Sequence, residues 1–146
     1  MVNINTKEYW DSRFALGDWE TKGGFNQTKL FAIEQARYIK PYVSPGCRIL
    51  DFGCGAGDSS EIFVSEFPDC NFYGEDLSQA AIQLAEERFG HLGKFSTKLK
   101  DEMEFDIIFT SNVLEHVPDY KSICDELLLK CRYLFVFVPF NERPLS

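Results

Sequence analysis

A chain of 146 residues, 45% apolar and carrying a formal net charge of −8, has room for one domain with its own hydrophobic core and none for a second. Its 15 Lys and Arg residues are scattered among 23 acidic ones, so the basic footprint of a nucleic-acid binder is missing. Five cysteines without a C-x-x-C pair argue against a disulfide framework and a zinc site. No apolar run approaches the roughly 20 residues that span a bilayer, and the expectation is a cytoplasmic protein with neither membrane nor nucleic-acid partners.

In chain order, NQTKLFAIEQARYIK (26–40) places Leu30, Ile33 and Arg37 at helical spacing and stops before Pro41, which cannot continue a helix. CRILDF (47–52) reads as a first strand. Three glycines follow, and Asp58 to Glu61 has the D-x-x-E form of a capping box opening a helix. NFYGED (71–76) reads as a second strand. SQAAIQLAEERF (78–89) reads as a helix with Ala81, Leu84, Ala85 and Arg88 along one face and Gly90 at its end.

KFSTKL (94–99) is the weakest strand, FDIIFTS (105–111) a fourth, and Asp119 opens a helix to about Lys130. RYLFVFVPF (132–140) is a fifth strand, apolar almost throughout. Unbroken apolar runs mark strands covered on both faces, and strands alternating with helices imply right-handed crossovers and a parallel doubly wound α/β sheet.

In such sheets ligands bind outside the carboxyl ends of the strands, where RILDFGCGAGDSS (48–60) falls. Gly53, Gly55 and Gly57 alone leave a flexible turn, a dinucleotide loop or another cofactor loop open. A dinucleotide loop wants G-x-G-x-x-G, and Asp58 stands where the third glycine should be. Asp51, two positions before Gly53, repels a pyrophosphate and attracts a cation. Asp76 falls at the end of the second strand, where a carboxylate takes both hydroxyls of a ribose; its other reading is a cap on the helix opening near Ser78. Together the three carboxylates favour a ribose-bearing, zwitterionic or cationic ligand.

LDFGCGAG, then FYGEDLSQAAIQLA, then FDIIFTSNVLEHVPD resemble, in order, the motifs of the class I S-adenosylmethionine-dependent methyltransferases, especially the small-molecule branch, over residues 47–139. The resemblance implies a Rossmann-like, mostly parallel sheet in strand order 3-2-1-4-5. It also implies S-adenosyl-L-methionine as methyl donor and S-adenosyl-L-homocysteine as product. The methionine moiety would lie over Gly53, Cys54, Gly55 and Gly57, with Asp76 on the ribose, Leu77 against the adenine and Asp51 near the amino-acid end. Asn112 and Val113 match positions that flank the cofactor, and Asp101 is the substitute for a carboxylate on the adenine amine.

YWDSRFALGDWE (9–20) resembles a lid segment in which Trp10 and Arg13 contact the cofactor; the plainer reading is an aromatic helix packed on the sheet. Cys54 fits as a small packing residue, and His91 as a surface loop residue. His116 is the histidine placed for acceptor binding or proton removal, its plainer role being a local hydrogen bond that fixes the loop. N-P-P-[FY], the mark of methyltransferases acting on nucleic-acid bases or glutamine, is absent after the fourth strand.

The function implied is methyl transfer to an oxygen or nitrogen of a small-molecule acceptor. The alternative is a non-catalytic S-adenosylmethionine-binding or assembly module. The expected organisation is one domain over 1–146, with a helical lid segment to about 44 and a cofactor-binding core over about 45–140. The family continues past strand five with a helix and an antiparallel hairpin, whereas this chain stops at NERPLS. The expectations are therefore a domain cut short after strand five and a homodimer joined through that strand's open edge.

Overall fold

A computed structural model describes residues 6–139, apart from the side chain of Asp18. Five strands form one parallel sheet: β1 (Arg48–Phe52), β2 (Asn71–Glu75), β3 (Gly93–Ser96), β4 (Phe105–Ser111) and β5 (Cys131–Phe137), in the order β3-β2-β1-β4-β5. The order reverses between β1 and β4, whose register pairs Asp51 with Phe109; β1 meets β2 with Asp51 opposite Gly74. The carboxyl ends of β1, β2 and β4 therefore open onto one crevice.

Helices α1 (Lys7–Ala15), α2 (Asp18–Thr21) and α3 (Gly24–Ile39) precede the sheet, and α4 (Asp58–Glu66), α5 (Gln79–Phe89) and α6 (Tyr120–Leu128) alternate with its strands. The main core lies between the sheet and α3, α4 and α5, where the Phe63 ring stacks on Phe109 at 4.4 Å between centroids. A second core, built on Leu50, Tyr73, Ile108 and Leu127, covers the other face beneath α6.

Four sequence expectations are corrected. Helix α3 forms, but Leu30 and Ile33 point outward; the buried stripe is Ala32, Gln35, Ala36 and Ile39, whose small side chains let the helix lie close to α4 and the sheet. Asp58 does not cap α4: Gly57 holds the cap position at φ +81°, and Asp58, one residue inside, accepts a two-point ion pair from Arg88 at 2.8 and 3.3 Å. Glu61 is thereby free to pair with Lys29 at 2.9 Å. Strand β3 ends at Ser96, whose hydroxyl bonds the Lys98 backbone and turns the chain.

Finally, β5 is a half-covered edge and not a strand buried on both faces, with Val136 42% exposed. Its apolar run extends to Phe140 in the sequence, but Phe140 and NERPLS lie outside the described residues, as do residues 1–5. Among the described residues no helix is long and apolar enough to cross a membrane.

One core position carries a measurable cost. The Thr110 hydroxyl on β4 is buried without a hydrogen-bond partner among the described residues. Because an unsatisfied buried hydroxyl costs about 1–3 kcal/mol, the near-isosteric Thr110→Val should raise unfolding free energy by about 1 kcal/mol in urea titrations. A lower midpoint would show that the hydroxyl is satisfied in solution.

Candidate active site

The crevice holds a pocket of about 1230 Å³, counting its open mouth, walled by the glycine loop, the ends of β1, β2 and β4, and helices α1, α2 and α3. The loop is held by its own backbone. The Gly53 and Cys54 N–H groups both donate to the Glu75 carbonyl at 2.7 and 3.0 Å, curling the loop toward β2, and Gly57 N–H returns to Cys54 at 3.0 Å. Gly53 sits at φ +84°, and a Cβ there would stand 2.3 Å from Val113 Cγ2. Left-handed backbone and a filled space both demand glycine. Gly53→Ala should therefore cost about 2 kcal/mol or more of stability by chemical denaturation; a cost below about 0.5 kcal/mol would mean that the loop and Val113 move apart easily.

Two carboxylates dominate the floor. Asp76, just past β2, accepts from Gly55 N–H through Oδ2 and from Ser78 N–H through Oδ1, each at 2.9 Å. It thus belongs to the glycine loop as much as to the turn before α5, whose cap is Ser78, accepting from Ala81 N–H. Burial pushes the Asp76 carboxyl above its usual range against those two N–H bonds, and the Asp11 charge adds to the rise. Asp51 is buried at the end of β1 and accepts from the Ser59 hydroxyl. Burial raises it to about 7, the Ser59 bond opposes the rise and the charge on Asp76 adds to it.

Of the residues expected at the site, Asp51, Gly53, Cys54, Gly55, Asp76, Leu77, Asn112, Val113, His116 and Trp10 line this pocket. Gly57 does not line it; it sets the start of α4 and packs against Ala85, Phe89 and Phe95. Arg13 also stands off the pocket, stacked over Tyr9, Trp10 and Trp19 with its guanidinium 5.3–5.8 Å from each ring centroid. Asp101 is 75% exposed, pairs with Lys98 at 3.7 Å and lies away from the pocket; Thr97 and Glu75 line that side instead. Burial and the nearby Asp76 and Asp51 charges hold the Cys54 thiol protonated, consistent with a packing role.

Beyond β4, Asn112 takes φ +54°, a left-handed conformation that asparagine tolerates better than most residues, and its N–H donates to the Phe137 carbonyl at 2.9 Å. This turn lays Val113 over Gly53 and presents His116, whose ring lies 6.3 Å from Trp10 and whose Nε2 is 3.7 Å from Glu115 Oε1. The adjoining wall comes from α1 and α2, where Trp10, Phe14 and Trp19 form a ring cluster with centroids 5.9–6.3 Å apart.

Sequence reasoning missed the residue that docks this wall. Asp11 on α1 accepts from the Ser78 hydroxyl at 2.7 Å and the Ala80 N–H at 3.1 Å, supplying α5 with a second cap from 67 residues away. Burial works to raise its carboxyl, but the bonds from Lys7, Ser78 and Ala80 outweigh this and lower it to about 2. It also missed Ser59, Gln35 and Phe31. Ser59 carried a weak signal, two hydroxyl residues directly after Asp58, whereas Asp11 and Gln35 carried none because their partners are distant in sequence.

Comparison with known proteins agrees with the geometry. A methyltransferase domain family model matches residues 50–131. The trans-aconitate 2-methyltransferase of Variovorax paradoxus (strain S110) is 31% identical over 84 residues, covering 55% of this chain and 32% of that protein. The ubiquinone biosynthesis O-methyltransferase of Pasteurella multocida (strain Pm70) is 29% identical over 166 aligned positions, covering 97% and 67%. The chain thus spans about a third of the length of the first relative and two thirds of the second. Among solved structures, the SAM-bound amino pentose methyltransferase of Micromonospora echinaspora superposes with a TM-score of 0.70 at 19% identity, over 88% of this chain and 59% of that one, a likeness of fold. With the family model covering more than half of the chain, the chain belongs to the methyltransferase domain family, and its sheet has the strand order expected for the class I fold.

Proposed function

We propose that this chain binds S-adenosylmethionine in the crevice above β1 and β2 and transfers its methyl group to an oxygen or nitrogen of a small molecule. The observation that carries this reading is the pair of buried carboxylates, Asp51 and Asp76, set on adjacent strand ends around a glycine turn. Asp51 suits a cationic ligand: a positive charge beside it would ionise it and be held strongly in the low-dielectric floor.

When bound, the sulfonium supplies an activated methyl group whose departure leaves a neutral thioether. The protein supplies position and exclusion of water. Each Asp76 oxygen accepts one backbone N–H and retains acceptor capacity for a ribose hydroxyl. Leu77, half exposed at the pocket edge, offers an apolar shelf for the adenine. The Gly53, Cys54 and Gly55 backbone leaves room for close approach, and Asn112 and Val113 bound the opposite side of the donor. Trp10 closes over the donor from α1, Arg13 supports Trp10 by stacking, and Gly57 fixes the start of α4.

His116 faces the acceptor side and takes the proton that the acceptor loses. Helices α1 and α2 serve as the lid over the cofactor core of one domain; the expected lid segment, to about residue 44, also takes in α3, which packs into that core. The outer edge of β5, with Val136 exposed, supports association of two copies through that strand. The test is calorimetric titration with S-adenosylhomocysteine: saturable heat with one site per chain is expected, and a folded protein that gives none would overturn the reading.

A further inference from the structure

Resting on the donor reading above, we infer that Gln35 and Ser111 form the recognition site for the acceptor, and that the acceptor is an uncharged aromatic hydroxyl compound. Gln35 projects from α3 and Ser111 ends β4. The Gln35 amide donates from Nε2 to Ser111 Oγ at 2.6 Å, and both residues line the pocket. Gln35 is only 7% exposed. After that bond, the Gln35 carbonyl oxygen and the Ser111 hydroxyl proton have no hydrogen-bond partner among the described residues.

One free acceptor and one free donor, side by side, match a hydroxyl group, which gives one proton and accepts another. Leaving them unmatched in a closed, occupied pocket would cost the lost hydration of each group.

The surroundings decide the charge of the ligand. The wall built by α2, α3 and the segment after β4 presents Trp19, Phe31, Gln35, Ser111, His116 and Val117. Among the described residues it contains no Lys, Arg, Asp or Glu. The three acidic residues of the pocket, Asp51, Glu75 and Asp76, lie on the ends of β1 and β2, at the donor side. A carboxylate acceptor would find no Lys or Arg of the protein to pair with, since none lines the pocket and Arg13 is stacked on Tyr9, Trp10 and Trp19 off it. A protonated amine would find no carboxylate among these lining residues, Glu115 standing behind His116 with its Oε1 3.7 Å from Nε2. A flat neutral ring finds the indole of Trp19 and the ring of Phe31, which take an aromatic partner edge-on or offset. The wall thus discriminates against a polycarboxylate such as the trans-aconitate named for one of the relatives.

Both tryptophans of the chain, Trp10 and Trp19, line the pocket, so indole emission reports its occupancy without a label. The experiment titrates the whole chain, with and without S-adenosylhomocysteine, against catechol, trans-aconitate and benzylamine, exciting beyond the phenol absorption. Catechol should quench saturably, with at least 10-fold higher affinity than the other two. Gln35→Leu should weaken catechol at least 10-fold while leaving S-adenosylhomocysteine affinity within 2-fold.

Tighter binding of trans-aconitate or benzylamine overturns the proposal, as does an unchanged catechol affinity in Gln35→Leu. Should that variant lose its circular dichroism, Ser111→Ala, which removes the hydroxyl and leaves the Gln35 carbonyl oxygen in place, carries the same expectation. If catechol binds in a Gln35-dependent way but S-adenosylhomocysteine does not bind, the donor reading falls and the acceptor site stands. Donor binding without catechol binding refutes the acceptor site alone.

Discussion

Asp76→Ala is expected to weaken S-adenosylhomocysteine binding about 100-fold or more in calorimetric titration. Hydrogen bonds to a charged group contribute roughly 1.5–3 kcal/mol each, and on the proposed donor reading the substitution removes the acceptor for both ribose hydroxyls from a buried site. It also frees the Gly55 and Ser78 N–H groups, so part of the loss comes from a loosened glycine loop. Asp76→Asn separates the two contributions. The amide keeps one acceptor oxygen and loses the charge, and binding should fall by about 10-fold with the loop still held. Equal affinity in wild type and Asp76→Ala would remove Asp76 from the site.

Asp51→Asn should act in opposite directions on folding and on ligand binding. The wild-type carboxyl is raised to about 7 from an ordinary value of 3.8, so the fold prefers its protonated form. Its contribution to stability is complete below about pH 4 and is lost as pH rises toward and through 7. At pH 8 the ligand-free fold carries the cost of an ionised, buried carboxylate, about 4 kcal/mol on the linkage relation. Asparagine imitates the protonated acid in shape and still accepts from Ser59. Urea unfolding should therefore show the variant more stable than wild type by about 4 kcal/mol at pH 8, with the gap falling to about 1 kcal/mol at pH 4.5. A gap independent of pH would place the proton elsewhere. The same variant should bind S-adenosylmethionine more weakly because the amino-acid end loses its anion.

The strands were legible because buried parallel strands need continuous apolar runs, and CRILDF, NFYGED and FDIIFTS have them within a residue of their observed bounds. Asp51, the glycine loop and Asp76 were legible because adjacent strand ends bring them together through local turns. What failed depended on distant partners. The capping-box reading of Asp58 could not anticipate Arg88, thirty residues on, whose guanidinium also lies 4.1 Å from the Phe25 ring centroid. Leu30 and Ile33 suggested a stripe, but the close approach of α3 to α4 selected the alanines for burial. Asp101 was suggested by its position after the third strand, yet β3 ends early and the following turn swings it into solvent beside Lys98 and Lys130. The Gln35–Ser111 pair joins residues 76 positions apart and left no sequence trace.

The docking of α1 has a thermodynamic consequence. Asp11 accepts from Ser78 and Ala80 at the head of α5, Asp76 accepts from the Ser78 N–H, and Phe14 packs with Ala56 and Ala81 nearby. The first helix and Asp76, the carboxylate proposed to hold the ribose, thus share a joint at Ser78. Any ligand that stiffens Asp76 also deepens the attachment of α1, and by reciprocity whatever holds α1 down tightens the ligand by the same factor. A helix that comes before the sheet in the chain is in this way an energetic extension of the loop that follows β2.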